Sequence, residues 1–168
     1  MSNWFRTYGL SDVYDGLIVG AMPLDASDVQ MLRSIGVNRV LNLVEDVEYQ
    51  AGSRPEVQRT LDESGILERR LSTEDYGGLS PELLDAAVAA VNVWLDEGQT
   101  VYLHCRAGWQ RSPTVAAAVL AIRERIDPNT ALRLIQARKP SAEPLPHQLA
   151  DLASWWQTRS HSSSSPAL

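Results

Sequence analysis

One cysteine, Cys105, stands in the whole chain of 168 residues. That excludes an internal disulfide and any zinc site built from several thiolates. Lysine is equally scarce: Lys139 is the only one, and the other basic residues are arginines. With a net charge of −6, the chain lacks the clustered cations that a nucleic-acid backbone demands of its partners. No apolar run approaches the roughly 18 residues of a membrane span. The opening stretch holds Trp4, Arg6 and Tyr8 and has no apolar signal region. These absences set the expectation of a cytoplasmic monomer that contacts neither membrane nor nucleic acid. Internal repeats are missing too. The one low-complexity stretch is the Ser-rich end, His161 to Leu168, which predicts a disordered tail over 159–168.

What is present reads as strands alternating with helices. Leu17-Ile18-Val19 is a short apolar strand ended by Gly20, and Val40 to Val44 is a second. Between them Ser27 and Gln30 have capping-box spacing and open a helix that Gly36 stops. Glu56 to Ser64 reads as helix and Ile66 to Leu71 as strand. Ser80-Pro81-Glu82 combines a cap, a first-turn proline and an acid, and starts a helix running to Gly98. Thr100 to Leu103 is a short buried strand. Pro113 opens a helix of small residues, Asp127-Pro128 caps another, and the last carries Leu149, Leu152 and Trp155. Such alternation implies a single α/β domain with a mainly parallel sheet of four or five strands, covered by helices on both faces.

The informative segment is His104-Cys105-Arg106-Ala107-Gly108-Trp109-Gln110-Arg111-Ser112-Pro113. It lies between a predicted strand and a predicted helix, where open α/β sheets bind their ligands. If the loop curls, its amides converge into an anion-binding nest, and the following helix aims its positive end at the same point. Gly108 supplies the freedom for a tight turn or a positive φ. Arg111 adds a planar fork suited to phosphate oxygens. Such a cradle favours the thiolate, so one loop makes a nucleophile and binds its target. Ser112 can donate to the sulfur. A structural cysteine followed by an arginine is the plain alternative; His104 before it, Gly108 within it and Ser112-Pro113 after it speak against that reading. A departing oxygen needs a proton, and both Glu74 and Asp75, in the loop Ser72 to Gly78, are chemically able to give one. A solvated turn residue is an equally good reading of Asp75 on these grounds.

The run around Cys105 resembles the cysteine-based protein phosphatases, whose signature is H-C-x5-R-[S/T], and resembles the small, atypical dual-specificity members most closely. The flanks Gly20 to Glu45 and Ser80 to Gly98 are similar to that family as well. The resemblance implies a protein-tyrosine-phosphatase-like fold, with a catalytic domain over 13–158 behind an N-terminal segment 1–12. Carried over by position, it makes Cys105 the nucleophile and Arg111 the phosphate clamp. Ser112 assists breakdown of the phosphocysteine, His104 supports the loop, Asp75 is the general acid, and Glu74 is the alternate. Arg106, Ala107, Gly108, Trp109, Gln110 and Arg111 bind the substrate. It implies no cofactor and no metal.

The implied partner is a phosphorylated protein, dephosphorylated on tyrosine and on serine or threonine. The same chemistry on a lipid, sugar or RNA 5′ end, a silent phosphate-binding module, and sulfur transfer of the rhodanese kind are the alternatives. Arg106 is the only extra cation in the loop, which weighs against strongly anionic substrates such as phosphoinositides. Trp109 either stacks on an aryl ester or packs beneath the loop. Pro144 to Gln148 departs from the family pattern and leaves polar support from that segment open, with His147 read as a surface histidine.

Overall fold

Alternation along each strand decides the two faces of the sheet. The strands are β1 (Leu10–Tyr14), β2 (Leu17–Gly20), β3 (Arg39–Asn42), β4 (Leu67–Arg70) and β5 (Val101–His104). They form one sheet in the order β1-β2-β5-β3-β4, parallel throughout except that β1 pairs antiparallel with β2. The computed structural model describes residues 1–162, with side chains through Arg159. Val101 and Leu103 of β5, with Leu17 and Val19 of β2, face one apolar cluster; Tyr102 and Ile18 face the other. Helices cover both. On the first side lie α4 (Pro81–Asp96), α5 (Arg111–Glu124), α6 (Pro128–Arg138) and α7 (Pro146–Ser162). On the second lie α1 (Asn3–Tyr8), α2 (Ala26–Ser34) and α3 (Ser53–Glu63). α5 is buried on every side from Arg111 to Ala121, which is why Val115 to Ala121 is apolar throughout, and the polar residues of its first turn serve the site instead.

β5 is the centre of the sheet. Gly20, His104 and Asn42 lie in register across β2, β5 and β3. Three strands therefore end at one level and deliver their following loops to the same edge. Ser80 caps α4 by accepting from the Leu83 amide, with Pro81 behind it, and Asp127 caps α6 on the Asn129 and Thr130 amides.

Several boundaries differ from the sequence reading. α2 starts at Ala26, not after Ser27: Asp25 is the cap, accepting from the Asp28 amide, and Ser27 donates its hydroxyl to Asp25. A carboxylate two residues earlier captured the free amides first. α3 starts at Ser53 and α5 at Arg111, each with its proline inside the first turn, where amides have no helical partner to lose. Arg111 and Ser112 consequently sit on the first turn of α5 rather than before it. Residues 1–12 hold α1 and most of β1. Residues 159–162, read as tail, continue α7; the Ser-rich run at 163–168 lies outside the described residues.

Candidate active site

The segment after β5 is pinned to its scaffold through carbonyls. The His104 carbonyl accepts from the Leu43 amide at 3.0 Å, the Arg106 carbonyl from Met22 at 2.9 Å, and the Trp109 carbonyl from Glu143 at 2.6 Å. A trans peptide holds its N–H opposite its C=O, so the amides of Ala107 and Gln110 face away from the scaffold, and both residues line the pocket. Gly108 makes the turn at φ +75°, and a Cβ there would come within 2.5 Å of the Gly20 backbone. Glycine is required at this point for conformation and for space.

Cys105 lies at the base of a pocket of about 260 Å³ and is 3% exposed. Ser112 donates its hydroxyl to Sγ at 3.2 Å. Arg111, with 1% of its side chain exposed, is gripped by Glu48 in a two-pronged pair at 2.9 and 2.7 Å. It also donates to the Thr73 carbonyl at 2.7 Å and to Asp75 Oδ1 at 2.8 Å. Burial opposes ionisation of Glu48, but the hydrogen bond and charge of Arg111 outweigh it and hold the carboxyl below its usual range. Asp75 lines the pocket beside Arg111, and its Oδ2 is 3.6 Å from Arg106. Glu74 is exposed and does not line it. His104 is fully buried, and burial pushes its pKa down to about 4. It is therefore a neutral ring at ordinary pH, with Nδ1 donating to the Cys105 carbonyl at 3.3 Å and the ring stacked on Tyr102.

The predicted loop residues Cys105, Arg106, Ala107, Trp109, Gln110 and Arg111 all line one pocket with Asp75. Trp109 does not pack beneath the loop. It is 40% exposed and meets Tyr8, whose presence at the mouth gives the indole a partner there. Four contributors escaped the sequence reading. Glu48 is one; its spacing from Glu45, with which it makes a capping box, is its only trace in the sequence. Trp4 and Tyr8 are two more. Lys139 is the fourth: 2% exposed, it donates to Ser141 Oγ at 3.1 Å, and burial lowers its pKa while the charge of Cys105 opposes that shift. The start of α7 does support the site. His147, exposed as read, donates to the Tyr76 carbonyl at 2.9 Å, and the buried Gln148 donates to the Gly77 carbonyl at 3.0 Å. Asp151 accepts from the Leu79 amide at 2.8 Å. Together they fix the loop that carries Asp75.

Residues 19–158 match the family described as dual specificity phosphatase, catalytic domain. The chain is 33% identical over 123 residues to the human phosphatidylglycerophosphatase and protein-tyrosine phosphatase 1, covering 71% of this chain and 59% of that protein. It is 30% identical over 129 residues to the phosphatidylglycerophosphate phosphatase PTPMT1 of Arabidopsis thaliana, covering 76% and 36%. The chain thus spans about a third to three fifths of the length of these relatives. The crystal structure of PTPMT1 superposes with a TM-score of 0.80 at 24% identity, over 93% of this chain and 99% of that one. A family match over most of the chain and a shared fold agree: the chain belongs to the dual-specificity phosphatase catalytic-domain family of the cysteine-based phosphatases.

Proposed function

We propose that the chain dephosphorylates a glycerophospholipid that ends in a phosphomonoester, of the phosphatidylglycerophosphate type, through a phosphocysteine on Cys105. The observation that carries the chemistry is the convergence of Cys105, Arg111 and Asp75 on one pocket, with the buried Ser112 hydroxyl donating to the sulfur from behind it. The thiolate attacks phosphorus, forming the S–P bond as the P–O bond to the alcohol breaks, and Asp75 gives its proton to the departing oxygen. Loop amides and Arg111 hold the remaining oxygens, so charge is met where it develops. Water then attacks phosphorus, Asp75 takes its proton, and the S–P bond breaks with the Ser112 hydroxyl directed at the returning thiolate.

The lipid substrate is supported by the names of the relatives, and the pocket suits it. Such a lipid bears one phosphomonoester and one phosphodiester, a charge load that Arg111 and the pocket-lining Arg106 can meet. The phosphoprotein reading is the second, favoured by the aromatic rings of Trp4, Tyr8 and Trp109 along the pocket, against which a phosphotyrosyl ring could stack.

The test is phosphate release from phosphatidylglycerophosphate in mixed micelles, set beside phosphotyrosyl and phosphoseryl peptides, with Cys105→Ser as the blank. We expect kcat/KM on the lipid to exceed that on peptides by about tenfold or more, roughly the discrimination that one well-placed charged contact gives. Peptides outrunning lipid would transfer the assignment to the second reading. Undiminished turnover by Cys105→Ser would remove the thiol from the reaction.

A further inference from the structure

α1 lies outside residues 19–158, the stretch that matches the family, yet it supplies two side chains to the pocket. Trp4 and Tyr8 are four residues apart and share one helix face, with ring centroids at 4.2 Å. Tyr8 continues the wall to Trp109, centroids at 5.2 Å. The helix is firmly tied. Ser2 caps it by accepting from the Phe5 amide, and the buried Asp28 of α2 accepts from both the amide and the hydroxyl of Ser2 at 2.7 Å. Phe5, 1% exposed, is anchored in the core.

This wall carries a cation. The Arg106 guanidinium carbon lies 5.8 Å from the centroid of the Trp4 ring. Among the described residues the one carboxylate within ion-pair distance of it is Asp75 at 3.6 Å, a loose pairing, and 48% of its side chain is exposed. Arg111 is the opposite case, buried beside the nucleophile and saturated with acceptors. The pocket therefore has two guanidiniums with separate duties, one at its base and one at its mouth. An arginine resting on an indole face has part of its freedom removed in advance, so less is lost when it binds.

We propose that Trp4 is a specificity-determining residue that holds Arg106 over the pocket mouth, where the guanidinium meets a second anionic group of the substrate beyond the phosphate that is removed. The identity of that second anion rests on the lipid reading above: in phosphatidylglycerophosphate it is the phosphodiester, one glycerol unit away. A phosphotyrosyl side chain carries no such charge at a fixed distance.

Soluble probes separate this proposal from the lipid assignment. The full chain is assayed with glycerophosphoglycerophosphate, the deacylated headgroup, and with glycerol 3-phosphate, which lacks the second phosphate. The wild-type protein is expected to show a KM about tenfold lower for the two-phosphate ester. Trp4→Ala is expected to remove most of that preference, Trp4→Phe to restore much of it because a ring remains, and Arg106→Met to remove it as fully as Trp4→Ala. In the double variant the two losses should not multiply, as for a pair that acts as one unit. Circular dichroism confirms that each variant is folded. The proposal is overturned if the wild-type protein does not distinguish the two esters. It is also overturned if Trp4→Ala raises both KM values alike, or if the two losses multiply. Failure of the lipid assignment shows instead in the micelle assay, as peptides outrunning lipid.

Discussion

At the scale of single residues the site depends on charges that neutralise one another out of water. Glu48, 4% exposed, meets both terminal nitrogens of Arg111. Removing one member of such a pair leaves the other buried and unmatched, a loss on the order of 3–5 kcal/mol. Glu48→Gln retains the shape but not the charge, and we expect about a hundredfold fall in kcat/KM together with a lowered thermal midpoint. Wild-type turnover in that variant would show that Arg111 needs no such orientation. His104 makes a different demand. Its folded pKa of about 4 lies below the ordinary value of 6.5 because the ring is buried. The unfolded chain therefore takes up a proton first as pH falls. Stability is complete above pH 6.5 and declines between 6.5 and 4, by about 3 kcal/mol for this one ring. Glu48, with its depressed value, adds a loss in the same direction at lower pH. Urea midpoints measured at pH 7.5 and 5 should differ accordingly, and His104→Gln should flatten the slope between them. An unchanged slope in that variant would mean other groups carry it.

At the scale of elements, legibility followed locality. Helices α4 and α6 were readable because Ser80-Pro81 and Asp127-Pro128 announce a cap and a first turn within two residues. We expect Ser80→Ala to lower stability by about 1 kcal/mol in a urea titration and Ser80→Asp to retain it, since a carboxylate accepts the same Leu83 amide. Equal losses in both would remove the cap from the account. The phosphate loop was readable for the same reason: nucleophile, glycine and arginine lie within seven consecutive residues. β1 was not. Leu10 to Tyr14 has one buried residue, Val13, and becomes a strand by pairing with β2, which no local pattern records. Glu48 and Trp4 were hidden likewise, because their partners Arg111 and Arg106 lie far along the chain and only the fold brings them close. On the residues alone Asp75 stood level with Glu74, and only the family resemblance chose Asp75 and kept Glu74 as the alternate. The bonds from His147, Gln148 and Asp151 to that loop accompany the placement of Asp75, not Glu74, in the pocket.

At the scale of the whole molecule, a chain with a net charge of −6 has to admit an anion. Long-range attraction does not help it, so the task falls to groups inside the pocket. The deepest of these, Arg111, already spends one nitrogen on two acids: Nη2 donates to Glu48 and to Asp75. Entry of a phosphate is thus an exchange, in which one tenant of the guanidinium gives way to another. Asp75→Asn evicts a rival, and calorimetry should find inorganic phosphate held more tightly by this variant than by the parent, although its turnover falls by about 10²–10⁴. Weaker binding would mean that the carboxylate helps to seat the anion. Along this one side chain, slowness and tenacity rise together.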